Sequence, residues 1–125
     1  MIIPDTSIWI EFLKNNPEYF STVKDLLENR KVLAIECIFG ELLQGAKSKR
    51  EIGIISLYWE NLPKAIIENG WIEAGKYSSQ NKLTSHGVGL IDSLIIVTAK
   101  KVHARVWSLD KKLNSLLKKE ERFTS

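Results

Sequence analysis

Cysteine occurs once in these 125 residues, at Cys37, so the chain has no intramolecular disulfide and suits a reducing compartment. We therefore expect a cytoplasmic protein. The thiol, with no Cys or His cluster around it, reads as core rather than chemistry. The two histidines, His86 and His103, are too far apart and too isolated to suggest a zinc site. No apolar run approaches the roughly 18 residues of a membrane span. The N-terminus also lacks the basic segment that opens a secretory leader, so no membrane association is expected. Repeats, low-complexity tracts and linkers are missing as well, and residues 1–125 read as one domain, long enough to bury a core. Charge of neither sign dominates: 18 basic against 15 acidic residues leave a net +3, compatible with a polyanionic partner but proving nothing. Aspartate is scarce, with four (Asp5, Asp25, Asp92 and Asp110) against eleven glutamates. Three of the four stand at apparent strand–helix junctions.

What is present is organised around Gly89–Lys101, GLIDSLIIVTAKK. Its apolar residues surround nearly the whole helical cylinder, which predicts a central helix. Asp92 is the only charge between Ile91 and Ala99, and it shares a face with Ile95, Ile96 and Ala99. A buried carboxylate without a partner is costly. It either complements the helix N-terminus, pairs with a buried arginine, or joins other carboxylates around a cation.

The rest of the chain alternates strand and helix. Met1–Ile3 is a short apolar strand ended by Pro4, and Thr6 or Ser7 is expected to cap a helix through Leu13. Asn16-Pro17 opens a second helix whose Asp25 faces water. Val32–Ile35 reads as a strand. The i, i+3, i+4 spacing of Ile35, Ile38, Phe39, Leu42, Leu43 and Ala46 predicts a helix over about Glu36–Ser48. Glu41 borders that apolar stripe. Lys47, Lys49 and Arg50 make a basic cluster at the end of this helix, where they complement its dipole or hold a phosphate backbone. Further helices are expected over Ile52–Asn61 and Glu68–Leu83, a brief strand at Lys64–Ile67, and a loop at Thr84–Gly89. Arg105–Leu109 forms a strand before Asp110, which opens a last helix over Lys111–Lys118, and Arg122–Thr124 adds an edge strand. Trp59 and Trp71 read as buried core rather than as part of a dimer face.

Strands alternating with helices give a short parallel sheet covered on both faces. Asp5 and Asp110 follow strands at their carboxyl ends, the edge at which open α/β folds bind ligands. Glu41 and Asp92 lie one or two turns into helices that begin at the same edge. Four carboxylates converging there would raise one another's pKa unless a cation neutralised them. Oxygen donors without His or Cys favour Mg²⁺ or Mn²⁺. The chemistry such a site does best is metal-assisted hydrolysis of a phosphodiester.

Four stretches then resemble a known family: PDTSIWIEFL at the start, ELLQGA in the third helix, GLIDSLIIVTA in the central helix and SLDKKL after the last core strand. They are similar to the PIN-domain ribonucleases, in particular the VapC-type toxins, in order and over nearly the whole length. The resemblance implies a three-layer α/β/α sandwich around a parallel sheet of four or five strands. It also implies a Mg²⁺- or Mn²⁺-dependent endoribonuclease acting on RNA, a homodimer, and a cognate antitoxin that holds it inactive. The family's acidic quartet falls on Asp5, Glu41, Asp92 and Asp110, as metal ligands and catalytic residues. Ser7, with Thr6 beside it, and Ser108 match its accessory hydroxyls. Lys47, Lys49 and Arg50 are candidates for the RNA backbone. Leu113 stands where the family often has Phe, and the arginine common before the central-helix loop is missing from KLTSHG.

Competing readings fit less well. A receiver domain expects paired acids after its first strand and a lysine after its last. A haloacid-dehalogenase-like phosphatase needs Asp-x-Asp where this chain has Asp5-Thr6-Ser7. A DNA-directed nuclease of the same superfamily, an RNA-processing nuclease outside any toxin system, and a catalytically silent Mg²⁺-binding module all keep the same residues.

Overall fold

A computed structural model describes all residues, 1–125. Seven α-helices surround a parallel sheet: α1 (Thr6–Leu13), α2 (Pro17–Glu28), α3 (Glu36–Gln44), α4 (Lys49–Asn61), α5 (Gly70–Gln80), α6 (Leu90–Val102) and α7 (Lys111–Ser115), with strands β1 (Ile2–Pro4) and β2 (Arg105–Trp107). Short 3₁₀ turns occupy Leu83–His86 and Lys119–Glu121. No helix is long and apolar enough to cross a membrane.

Only β1 and β2 form a ladder, pairing Ile2 with Arg105, Ile3 with Val106 and Pro4 with Trp107 in parallel. The other expected strands reduce to single parallel bridges, Ile2 to Val32, Ala34 to Lys64 and Val106 to Arg122. The anticipated four or five strands are thus not reached. Prolines and early helix starts cut the pairing short. Pro63 offers only its carbonyl, to the Ala34 amide, and α3 begins two residues after Ala34. Because β1 and β2 run parallel, both deliver their following residues, Asp5 and Ser108–Asp110, to one edge. There the Asp5 amide donates to the Trp107 carbonyl at 2.9 Å.

The helix boundaries follow local chemistry that hydrophobic periodicity does not reveal. Asp5, rather than Thr6 or Ser7, caps α1. Helix α3 stops at Gln44 instead of running to Ser48, because a new helix starts there. The Ser48 hydroxyl accepts from the Glu51 amide at 3.1 Å as the cap of α4, and the Glu51 carboxylate reaches back past the cap to accept from the Lys47 amide. Lys49 and Arg50 therefore open α4 and do not complement the end of α3. Helix α5 is shorter than expected, and α7 ends at Ser115 rather than Lys118.

Helix α6 has the central place its sequence demands: every residue from Ser93 to Ala99 is buried. The core joins Ile95, Ile96 and Ala99 to Ile3 and Val106 of the strands, to Ile8, Trp9 and Phe12 of α1, and to Ile38, Phe39 and Leu42 of α3. Buried Ser93 is satisfied by donating to the Gly89 carbonyl at 3.0 Å. Trp71, expected in the core, is 49% exposed on α5, and Trp59 is partly buried beneath the Lys64 ammonium.

Candidate acidic site

Asp5 is buried, and its position is over-determined. One oxygen accepts from the Ser7 hydroxyl and from the Ile8 amide at 3.3 Å, the capping bond of α1. The Ser7 oxygen in turn accepts from the Leu109 amide at 3.0 Å, tying the start of α1 to the chain leaving β2. Burial pushes the Asp5 carboxyl above its ordinary value, against hydrogen bonds from Ser108, Ser7 and the Ile8 amide that pull it down.

Asp110 is a cap as well. One oxygen accepts from the Lys112 amide at 2.8 Å and the Leu113 amide at 3.3 Å, while its own amide donates to the Ser108 hydroxyl at 2.9 Å. The Asn114 side chain closes this turn on the Ser108 carbonyl. Glu41, half-buried on α3, accepts from the Thr6 hydroxyl at 2.6 Å. The sequence offered Thr6 as a cap and as Ser7's neighbour, and no local signal shows that it reaches a residue 35 positions away. Asp110 and Glu41 each keep a second oxygen without a protein hydrogen bond.

Asp92 differs from the other three. It stands in the first turn of α6, half-buried, with no hydrogen bond to its side chain and no ion pair. The ion pairs within 4.0 Å lie elsewhere, at Lys14–Glu11, Lys24–Glu28, Lys76–Glu73 and Lys100–Glu121. Burial, then the charges of Asp110, Asp5 and Glu41, push its carboxyl up to about 6. The four acids of the quartet thus share one electrostatic neighbourhood with no basic side chain paired to any of them. Cys37, one turn before Glu41, borders it: burial, Glu41 and Asp92 push the thiol up to about 11, so it stays protonated and inert.

The donor chemistry suits a hard divalent cation: carboxylate oxygens with hydroxyls behind them, uncompensated negative charge and no imidazole. The side chains as placed do not enclose an ion, since no three His, Cys, Asp or Glu groups close on one point. The basic trio is divided. Lys47 shares with Glu41 a depression between α1, α3 and α4 that Ile10 and Leu13 also line, whereas Arg50 lines a different one, with Phe20 and Tyr58. All three cations are exposed.

The raised Asp92 carboxyl fixes a pH dependence. The unfolded chain releases this proton near pH 3.8 and the folded chain near 6, so stability is lost as pH rises through that window. Solvent reaches the half-buried group, which discounts the effect to roughly 1–2 kcal/mol. In metal-free buffer, the unfolding free energy of Asp92→Asn minus that of the parent is expected to grow by this amount between pH 4 and pH 7. A difference that does not change with pH in urea titrations would contradict the electrostatic account.

Comparison with known proteins bears on the family and the fold. The profile of the PIN domain matches residues 2–119. Among solved structures, VapBC-1 from nontypeable Haemophilus influenzae aligns with a TM-score of 0.69 at 23% identity, covering 92% of this chain and 91% of that one. VapBC2 from Rickettsia felis, bound to a DNA fragment from its promoter, gives 0.69 at 19% identity, covering 92% of each chain. FitAcB from Neisseria gonorrhoeae gives 0.60 at 17% identity, covering 90% of each. No curated protein sequence matches. With nearly its whole length matched by the profile, and with its α/β order shared by these structures, the chain belongs to the PIN-domain family, whose members are generally nucleases.

Proposed function

We propose that this protein is a metal-dependent endoribonuclease, the toxin of a toxin–antitoxin pair of the VapC type. The observation that carries the proposal is Asp92, a carboxylate held half-buried among three others with neither hydrogen bond nor counter-charge. A group so placed lowers stability at neutral pH, and a divalent cation removes that penalty. Membership of the PIN family and likeness to VapBC complexes support the same reading.

In this mechanism Asp5, Asp92 and Asp110 would hold Mg²⁺ or Mn²⁺, and Glu41 would either join them or orient the attacking water. A cation held there would supply Lewis-acid polarisation of the phosphoryl oxygen and offset developing charge. Ser7 keeps Asp5 in one rotamer and links it to Leu109, Ser108 fixes the turn that presents Asp110, and Thr6 orients Glu41. Lys47, beside Glu41, is the best placed of the basic trio to meet an RNA backbone; Lys49 and Arg50 lie further along α4. An antitoxin silences the enzyme by covering the cleft. The protein acts as a homodimer, and the exposed Trp71 and Ile72 of α5 offer apolar area for a second copy.

The test is cleavage of total cellular RNA by the purified, partner-free protein with Mg²⁺, with Mn²⁺ and with chelator. Discrete fragments that require metal are expected, together with a higher unfolding temperature on adding Mg²⁺ at pH 7. Metal-induced stabilisation without cleavage of RNA would replace this function with a silent binding module. Cleavage of DNA alone would assign the protein to the DNA-directed branch.

A further inference from the structure

Lys112 is the second residue of the five-residue helix α7. Its amide is fixed by the Asp110 carboxylate at 2.8 Å. Its side chain runs across to the loop before α6, where a Cβ on Gly87 would stand 3.0 Å from the ammonium nitrogen. Gly87 has φ +75°, so the loop needs glycine for its backbone as well as for this approach. The ammonium thus spans the two segments that carry Asp110 and Asp92, yet it makes no ion pair within 4.0 Å and no hydrogen bond. It is exposed, with all three donors available.

We infer that Lys112, seated on Gly87, is a substrate-binding residue that takes a backbone phosphate of single-stranded RNA beside the acidic cleft. The inference rests on the ribonuclease reading and adds a residue to it. An acidic centre repels a polyanion, and a cation at its rim offsets that repulsion while leaving the carboxylates unpaired.

The experiment measures binding of a fluorescein-labelled single-stranded RNA of mixed sequence by anisotropy, with Ca²⁺ replacing Mg²⁺ and the RNA checked intact by gel. Lys112→Ala is expected to weaken binding about fivefold and to reduce the slope of log affinity against log salt by about 0.7, the value for one phosphate contact on a single strand. Lys112→Arg should retain affinity, and Gly87→Ala, which displaces the ammonium, should weaken it. Lys101→Ala, at the far end of α6, should change little. Parental binding with an unchanged Lys112→Ala would overturn this inference alone, as would equal weakening by Lys101→Ala, which would signify diffuse attraction. A parent that binds no RNA would overturn the ribonuclease reading along with it.

Discussion

Asp92→Asn is expected to lower RNA cleavage at saturating Mg²⁺ by at least about a hundredfold, because even outer-shell partners of a metal site commonly contribute ten- to a hundredfold and a direct ligand more. The substitution preserves size and removes no hydrogen bond, since the Asp92 side chain makes none. It removes a charge that burial, Asp110, Asp5 and Glu41 all disfavour. The metal-free variant should therefore be folded and, at pH 7, more stable than the parent. A carboxylate kept for structure loses stability on neutralisation; one kept for chemistry loses activity and gains stability. Initial cleavage rates and urea melts on the same preparation separate the two. Cleavage within about threefold of the parent would remove Asp92 from the catalytic set.

Trp9→Ala is expected to cost about 3–5 kcal/mol, the usual range for truncating a buried aromatic and a large share of the roughly 5–15 kcal/mol that holds a domain together. Trp9 is 1% exposed and meets Phe12, Phe39 and Tyr58 at ring-centroid distances of 5.8, 5.2 and 5.5 Å, so it joins α1, α3 and α4 in one aromatic cluster. That junction also sets the site, because the Trp9 amide donates to the Asp5 carbonyl and Thr6, nearly one turn away, reaches Glu41 on α3. The indole Nε1 is buried without a partner. Trp9→Phe loses packing but also removes this orphan donor, so its net cost should stay below about 1.5 kcal/mol. Urea unfolding of both variants decides the matter: a Phe variant as unstable as the Ala variant would mean that the indole N–H has a partner.

Much of this molecule was legible in its residues, and the failures have identifiable causes. The apolar surround of Leu90–Val102 needs a fully enclosed helix, and α6 is one. The end of α3 and the start of α4 lie beyond the reach of apolar spacing because Ser48 and Glu51 decide them through capping bonds, which are a matter of hydrogen bonds rather than hydrophobicity. The extent of the sheet is hidden for a related reason. A run such as Val32–Ile35 or Lys64–Ile67 shows that a segment is buried, not how many residues it pairs, and here proline and an early helix leave one bridge each. Trp71 was assigned to the core from residue type alone, which says nothing about the direction in which α5 faces.

By itself the sequence determined the α/β order, the central helix and the placing of its few aspartates at strand–helix junctions, because periodicity and composition are local and additive. Tertiary structure alone decided that Ser7 holds both Asp5 and, 102 positions away from itself, Leu109, that Thr6 reaches Glu41, that Lys47 and Arg50 face different depressions, and that Lys112 lies on Gly87. It also decided that Asp92 feels three other carboxylates. Coulomb and hydrogen-bond energies depend on distances between groups far apart in the chain, and those distances exist only once the parallel strands and α6 have packed.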